Sequence, residues 1–438
     1  MFLRRIPRSI AFLLLLSLPF ILIWSVPGRP AEAASPVYLR PDGHDYECNG
    51  LVDAPYPGGT GSLPCAFQTF LRAHSQVDDA GTIYVGAGVY TDVFFISKSV
   101  TVVGAGVGQT IIDGGGYIFI NNLTAFVIIS DLTVQNSIKV GVGGGVLISN
   151  GTVTLRDCAV LNNEAFIGGG IYNSGNLTIE RCTISNNVAT GDFGGGGIFN
   201  EGTLVLIDSS VVNNHADTLN ANGGGIINVN DAPGEYLHII RTTLSGNSAD
   251  KYGSALSDYG AGHTWLANVT VTGNTIASGD GTIYITAGKT MDVWNSTIAG
   301  NQAGGPGVEG GIMTYSPVIL ANTILADNDN SNCHIFGAGA ITTIGANIDS
   351  GSTCGFVAGP DMPNTDPLLG PLADNGGYTE TMELLPGSPA IDAGYGLVCS
   401  MFPVDGVDQR GVARPIGLGC DIGAYEAPMW LFLPLVMR

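Results

Sequence analysis

The chain has 438 residues, of which 65 are glycine, with 12% charged side chains and a formal net charge of −21 at pH 7. Globular proteins carry about 25% charged residues and about 7% glycine, so this surface must consist largely of uncharged polar residues and glycine. The negative charge excludes nucleic acid as a partner, because phosphate binding needs clustered Lys and Arg, and 45% apolar residues exclude a disordered chain.

The N-terminus has the features of a secretory signal peptide. Arg4, Arg5 and Arg8 precede an apolar run over residues 10–26, and Ala31-Glu32-Ala33 provides a small-x-small cleavage site. We expect residues 1–33 to be removed, which makes the mature protein secreted or attached to the cell surface, without a transmembrane helix. The alternative is an uncleaved anchor helix.

Residues 34–81 precede the first regular strand, which begins at Thr82, and are expected to form an N-terminal cap. A short helix over residues 68–77 would close the apolar end of the repeats. Such an end must be covered to keep a repeat protein soluble.

The middle of the chain consists of a repeat of about 27 residues. One inward-type aliphatic residue marks each of eight segments: Val134, Val160, Ile184, Val211, Leu244, Val271, Ile298 and Leu325. Three positions beyond the last seven of these stands an asparagine: Asn163, Asn187, Asn214, Asn247, Asn274, Asn301 and Asn328. We expect these asparagines to form a structural ladder along one turn of the fold.

The pattern within each repeat is that of short strands. Pairs such as Leu177 and Ile179 have the period of two that places both side chains on one face of a strand. A second strand is predicted before each asparagine. A third is predicted after each glycine run, as in Gly168-Gly169-Gly170-Ile171, so that each repeat has three short strands. No window shows the apolar spacing of a helix. The repeat therefore predicts an all-β solenoid of stacked parallel coils over residues 82–332, with capped ends.

Two stretches resemble known families. The segments Thr82–Tyr90, Ser99–Gly104 and Thr110–Gly114 resemble the first coils of the right-handed parallel β-helix of pectate-lyase-like and polymorphic-outer-membrane-protein-like proteins. The blocks Asp408-Gln409-Arg410-Gly411 and Cys420–Glu426, with three earlier blocks between 366 and 394, are similar to the C-terminal region of choice-of-anchor Q proteins. The resemblance implies a right-handed β-helix, a choice-of-anchor Q region over 333–426 and delivery to the cell surface, but no defined activity. The apolar tail, residues 427–438, is either a closing strand or a processed or recognised signal.

Eight cysteines in an exported chain indicate disulfides. Proximity in sequence favours three pairs: Cys48 with Cys65, Cys333 with Cys354, and Cys399 with Cys420. Cys158 and Cys182 occupy the same inward position one coil apart, where a disulfide and two buried thiols are equally compatible with the expected spacing. With no C-x-x-C motif and six scattered histidines, the sequence predicts no metal site and no cofactor.

Two functions fit such a fold. A polysaccharide lyase or glycoside hydrolase would need paired carboxylates, or a calcium site with a basic residue. Arg156, Arg181 and Arg241 are interpreted instead as solvated corner residues that bind carbonyls, and the segment Asp327–Asn332 as a surface turn. No catalytic residue is assigned.

The second function is a structural, adhesive or glycan-binding rod, which we favour over the enzyme. Loops that vary between coils often form the working surface of a repeat protein. The loop residues with aromatic, acidic or basic side chains are the candidate ligand-binding residues: Phe166, Asp192, Phe193, His215, Asp217, Asp250, Lys251, Tyr252 and Asp280. Glycans or other cell-surface components are the expected partners. The alternative for these residues is that they cover the edges of the coils.

Overall fold

Short parallel strands follow one another around each coil and pair with the equivalent strands of neighbouring coils. The computed structural model describes residues 35–230, 234, 236–260 and 262–429. In this part of the chain the strands form four parallel sheets and one small antiparallel hairpin. The predicted all-β solenoid, with about 27 residues per coil, is confirmed. Equivalent residues of successive coils lie about 4.8 Å apart along the axis.

We number the four sheets in the order in which the chain passes through them within one complete coil, such as residues 152–173. Sheet 1 comprises Val37–Leu39, Gly81–Val85, Val100–Val103, Phe126–Ser130, Thr152–Arg156, Asn176–Glu180, Thr203–Ile207, Tyr236–Ile240, His263–Ala267, Thr290–Trp294, Pro317–Ala321 and Ala340–Thr343. Sheet 2 comprises Gly88–Tyr90, Thr110–Asp113, Thr133–Gln135, Ala159–Leu161, Thr183–Ser185, Ser210–Val212, Thr243–Ser245, Thr270–Thr272, Thr297–Ala299, Ile324–Ala326, Ile348–Asp349 and Met362–Pro363.

The other two sheets are shorter. Sheet 3 comprises Ile138–Val142, Glu164–Ile167, Val188–Ala189, His215–Ala216, Ser248–Ala249, Thr275–Ile276 and Gln302–Ala303. Sheet 4 comprises Phe94–Ile96, Ile118–Ile120, Val146–Ile148, Ile171–Asn173, Ile198–Asn200, Ile226–Asn228, Leu256–Asp258, Ile283–Ile285, Ile312–Thr314 and Cys333–Ile335. Sheets 1, 2 and 4 contain the three strands that the sequence predicts for each repeat. Sheet 3 was missed, because most of its strands have two residues, too few to show a period.

The core follows from the alternation within the strands. In Asn176–Glu180 the side chains of Leu177 and Ile179 are buried, whereas Asn176 is exposed. Equivalent residues are buried in the neighbouring strands, so the inward side chains of the four sheets stack into continuous aliphatic rows. Burial of these rows against one another is the main force that stabilises the solenoid.

The predicted asparagine ladder lies at the corner between sheets 2 and 3. Each side-chain amide donates to the side-chain oxygen of the next asparagine, from Asn163 to Asn187 at 3.0 Å through to Asn301 to Asn328 at 2.7 Å. The ladder continues into Asn332, which accepts from Asn328 at 2.8 Å. Asn328 and Asn332 are buried. The interpretation of residues 327–332 as a surface turn is therefore wrong for these two side chains, whose hydrogen bonds complete the end of the ladder.

A second polar ladder lies at the end of the sheet 4 strands. The amide of Asn173 donates to Asn200, Asn200 to Asn228, and Asn228 to the carboxylate of Asp258, over 2.6, 2.7 and 2.7 Å. The Nζ of Lys289 lies 2.6 Å from Oδ1 of Asp258, and both side chains are fully buried. A charged pair therefore ends this ladder inside the solenoid.

The stacked sheets extend beyond the predicted bounds of the β-helix, 82–332. Strand Val37–Leu39 pairs with Gly81–Val85 inside the expected cap, and parallel pairing continues to Met362–Pro363 inside the expected C-terminal region. Helix Phe70–Gln76 stands where a short capping helix is predicted, with the ring of Phe70 stacked 4.1 Å from that of Phe94.

The C-terminal segment contains the hairpin Leu369–Ala373 with Thr381–Leu384 and the helix Gly396–Ser400. It packs on the outer side of sheet 2: the Gln409 side chain accepts from the hydroxyl of Thr270 at 2.6 Å and donates to that of Thr243 at 2.8 Å. The blocks that carry the choice-of-anchor Q resemblance thus include residues that hold this segment against the solenoid.

The cysteines pair as their spacing suggests, with disulfides Cys48–Cys65, Cys333–Cys354 and Cys399–Cys420. Cys158 and Cys182 are buried free thiols. Burial raises the pKa of the Cys182 thiol, which also lies against Cys158. The pair is therefore an apolar part of the inner row.

The predicted signal peptide, 1–33, and residues 430–438 of the tail lie outside the described residues. Within the described ranges, no helix is both long and apolar enough to cross a bilayer.

Candidate functional site

The nine predicted ligand-binding residues lie on sheet 3 or on the loops that follow it, but their contacts separate them into groups. Phe166 and Phe193 are 48% and 62% exposed, and the Phe166 ring packs over the backbone at Gly191. Asp192 is exposed beside them. The Phe166 ring therefore lies against the loop of the next coil, and Phe193 is exposed.

His215 and Asp217 form a second group. Nδ1 of His215 lies 2.7 Å from the hydroxyl of Ser248 one coil further on, and Nε2 lies 3.2 Å from Oδ1 of Asp217. Both partners lie on sheet 3 or on the loop that follows it, so the side chain of His215 is held against this sheet.

The third group contains Asp250, Lys251, Tyr252 and Asp280. Tyr252 pairs through its backbone with Asp280, and its ring stacks 4.4 Å from that of Tyr284 on sheet 4. Nζ of Lys251 lies 5.5 Å from the Tyr252 ring. This group belongs to a row of rings that continues along sheet 4.

The arginines at the corners bind carboxylates of adjacent coils, not carbonyls. Arg181 pairs with Asp157 at 2.7 Å and Arg241 with Asp208 at 2.6 Å. Arg156 pairs with Glu180 at 2.7 Å. These contacts support a structural role for all three.

A group of aromatic and titratable side chains lies on the outward side of sheet 1. Because alternate residues of a strand face opposite sides, strands Tyr236–Ile240, His263–Ala267 and Thr290–Trp294 each turn two such residues outward. We call this surface the aromatic face. It consists of Tyr236, His238, His263, Trp265, Asp292 and Trp294.

Trp265 is at the centre of the aromatic face. Its ring is stacked 4.9 Å from the ring of His238 and 6.3 Å from that of Trp294. The ring of His238 is in turn stacked 4.3 Å from that of Tyr236. Phe402, from the C-terminal segment, lies 5.3 Å from Trp265 and is 53% exposed. The rings therefore form a stacked row, which we call the platform, and Phe402 lies beside it.

A carboxylate and an imidazole lie beside this platform. Nε1 of Trp265 is 2.9 Å from Oδ2 of Asp292 and 3.0 Å from Nε2 of His263, and the last two atoms are 3.2 Å apart. Oδ1 of Asp292 and Nε1 of Trp294 are buried and have no hydrogen-bonding partner in the described part of the molecule. One acceptor and one donor of the aromatic face are therefore left without a partner.

The second histidine of the face is kept uncharged at neutral pH. Burial, with a smaller contribution from the neighbouring imidazole of His263, lowers the pKa of His238 to about 4. A neutral imidazole stacked on an indole behaves as an additional aromatic ring, which enlarges the apolar part of the platform.

The aromatic face carries a single carboxylate. Among the outward positions of the described sheet 1 strands from Thr203 to Thr343, Asp292 is the one carboxylate. A glycosidase needs two, about 5 to 9.5 Å apart. Within the described ranges, no group of three or more His, Cys, Asp or Glu residues is placed to hold a metal.

The aromatic face was missed from the sequence, although a signal exists. The inward pairs Leu237/Ile239 and Met291/Val293 imply that His238 and Asp292 point outward. Trp265 has the same position in the intervening strand. The contact with Phe402 has no sequence signal, since 137 residues separate it from Trp265.

No protein-family model matches the chain, and no curated protein matches it. Among solved structures it is similar to the pectate lyase Pel9A, with 13% identity and a TM-score of 0.48 over 89% of this chain and 96% of that one. It is also similar to a pectin methylesterase in complex with a hexasaccharide, with 13% identity and a TM-score of 0.32 over 52% of this chain and 75% of that one. We infer nothing about activity from these similarities, and the parallel β-helix rests on the strand pairing itself.

Proposed function

We propose that this protein is a secreted or cell-surface β-helix rod that binds a glycan on the aromatic face of sheet 1. The observation that carries the proposal is the central position of Trp265, with rings on two sides and the carboxylate of Asp292 at its Nε1. Sugar rings have apolar C–H faces that stack on aromatic rings and hydroxyl groups that need acceptors and donors. The aromatic face offers both.

The unpaired atoms of the face support a polar ligand over an apolar one. A buried polar atom without a partner costs free energy, and both Oδ1 of Asp292 and Nε1 of Trp294 are in this condition. A hydroxyl group can donate to the carboxylate or accept from the indole. A hydrocarbon ligand would leave both atoms unpaired.

The proposed location rests on the N-terminal sequence and on the disulfides. Three disulfides fit an oxidising compartment. The choice-of-anchor Q resemblance of the C-terminal segment adds attachment to the cell surface to this proposal.

A polysaccharide lyase or hydrolase is the second candidate, because Asp292 and His263 lie 3.2 Å apart and could serve as an acid–base pair. Cleavage would require a second carboxylate or a cation supplied with the substrate. The two candidates are separated by incubating the protein with the glycans that it binds and measuring reducing ends and unsaturated products.

The test of binding compares two variants with a matched control. Trp265→Ala and Asp292→Asn are expected to weaken binding on a glycan panel by roughly tenfold, the effect of removing a central anchor. Phe126→Ala is the control, because Phe126 is an exposed outward aromatic of the same sheet without the polar neighbours.

The glycan should also change the tryptophan emission of the protein, since Trp265 and Trp294 both lie on the aromatic face. Equal effects of Trp265→Ala and Phe126→Ala on every bound glycan would remove this face as the binding site. Product release that Asp292→Asn abolishes would move the assignment to the enzyme.

A further inference from the structure

A second concave site lies at the last strand of sheet 4, away from the aromatic face of sheet 1. An open depression of about 450 Å³ is lined by Glu309, Ser331, His334 and Thr353, among others. Glu309 stands on the loop before strand Ile312–Thr314, and His334 on strand Cys333–Ile335, which pairs with it. Two adjacent coils therefore build the depression.

Several polar atoms of this depression have no partner. Oε2 of Glu309, Oγ of Ser331 and Nδ1 of His334 are buried and make no hydrogen bond to any described residue. Nδ1 of His334 is 3.4 Å from Oε1 of Glu309, close enough for an ion pair but without hydrogen-bond geometry. A carboxylate oxygen and a hydroxyl of the same depression thus both lack a partner.

Among the described residues, His334 is the sole basic side chain within 4.0 Å of the Glu309 carboxylate. The backbone amide of Glu309 binds Oδ1 of Asp280 at 3.3 Å, so a second carboxylate lies nearby. Partial burial of such a carboxylate is costly unless a cation pairs with it. The net charge of −21 also disfavours an anionic ligand.

A row of aromatic rings leads to the depression. His334 stacks 4.0 Å from Phe336, and Phe336 stacks 5.2 Å from Tyr315. Tyr315 is 6.2 Å from Tyr284, which carries the stacked ring of Tyr252. The row spans several coils and continues to the third group of predicted loop residues, so a ligand chain of several rings could lie along it.

We propose that the depression binds the ammonium group of an amino sugar. The ammonium group of a hexosamine residue would donate a hydrogen bond to Oε2 of Glu309 and form an ion pair with this carboxylate. Its ring would lie against His334 and Phe336, and its hydroxyls would reach Ser331. This inference rests on the proposed glycan-binding function and deepens it by naming the class of glycan, one with free amino groups.

The experiment compares a glucosamine tetrasaccharide with its N-acetylated counterpart, which has the same rings without the positive charge. Both are titrated against Trp265→Ala protein by calorimetry, so that the aromatic face contributes little. We expect the glucosamine chain to bind at least about tenfold more tightly, with an affinity that falls as salt is added. The N-acetylated chain should show no such salt dependence.

Glu309→Gln in the same background should abolish the preference while leaving the thermal midpoint unchanged. Glu164→Gln is the matched control, a partly exposed carboxylate on sheet 3, and should retain the preference. Equal affinities for the two chains, or equal behaviour of the two variants, would overturn the proposal. Calcium binding that Glu309→Gln weakens, without glucosamine binding, would also overturn it.

Failure of the proposed function would give a different result. In that case Trp265→Ala would bind every glycan of the panel as the wild-type protein does, whatever Glu309→Gln does to the glucosamine chain. The two proposals are therefore tested on separate residues.

Discussion

Replacing Lys289 by methionine is expected to destabilise the solenoid strongly, and adding Asp258→Asn is expected to restore most of the loss. The Nζ of Lys289 lies 2.6 Å from Oδ1 of Asp258, and both side chains are fully buried. Asp258 also accepts hydrogen bonds from Asn228 and Thr264, each at 2.7 Å. Lys289→Met alone leaves a buried carboxylate with no cation.

The magnitude follows from this geometry. Removing one partner of a buried ion pair costs about 3–5 kcal/mol, whereas replacing both by uncharged residues is often close to neutral. Asparagine at position 258 would extend the ladder of Asn173, Asn200 and Asn228 by one residue. Asn230 would still lose the hydrogen bond that Lys289 donates to it at 3.0 Å, a loss of about 1 kcal/mol. The double variant should therefore lie about 1 kcal/mol below the wild type.

Urea unfolding at pH 7, followed by circular dichroism, measures the four free energies of a double-mutant cycle. The expected coupling energy is at least about 5 kcal/mol, because each single variant loses about 3–5 kcal/mol and the double variant about 1 kcal/mol. Losses that simply add, so that the double variant is the least stable protein, would refute a charge-driven pair and the ladder built on it.

Three further predictions concern the coils and the aromatic face. Ile184→Asp should lower the thermal midpoint far more than Asn176→Asp, because Ile184 is fully buried in the inner row and Asn176 is exposed; similar midpoints would contradict the register. Gly196→Ala should lower the free energy of unfolding in urea by about 1–3 kcal/mol, since a Cβ there would lie 2.5 Å from backbone carbonyl oxygens of the next coil. Gly305→Ala is the control: its Cβ would meet no atom within 4 Å, so the free energy of unfolding should not change. Burial lowers the pKa of His238 to about 4. The contribution of the neutral His238 side chain to the free energy of unfolding is therefore complete above the pKa of the unfolded state, near 6.5, and is lost as the pH falls towards 4. His238→Phe should therefore flatten the pH dependence of unfolding in that window, and an unchanged slope would show that His238 is not buried neutral.

The inside of the solenoid could be predicted because stacking makes it periodic. Inward positions such as Val160 and Ile184, and ladder positions such as Asn187, recur at nearly constant intervals, since each must meet its counterpart about 4.8 Å away. Position in the repeat then determines burial. The same reasoning fails for sheet 3, whose two-residue strands are too short to show alternation.

The outside could be predicted less well because nothing requires its residues to repeat. Residues Phe166 and Phe193 were selected as exposed aromatics on variable loops, yet the Phe166 ring packs over the Gly191 backbone. Trp265 and Asp292 lie within regular strands and were passed over, although strand alternation places them outside. The contact of Trp265 with Phe402 depends on how the C-terminal segment packs, which local sequence does not determine.

The aromatic face lies where the repeat departs most from regularity. The spacing from Asn214 to Asn247 is 33 residues, the longest in the ladder. Most of its extra residues fall between strands Ile226–Asn228 and Tyr236–Ile240, and the second of these is the first strand of the aromatic face. On the other side, the C-terminal segment supplies Phe402 beside Trp265. The longest insertion therefore precedes the first strand of the aromatic face in the sequence, and the C-terminal segment contacts the second strand, while the inward rows beneath them stay unchanged. In repeat proteins, insertions confined to one face mark the binding surface, and this correspondence favours sheet 1 over the sheet 3 loops as the primary contact surface.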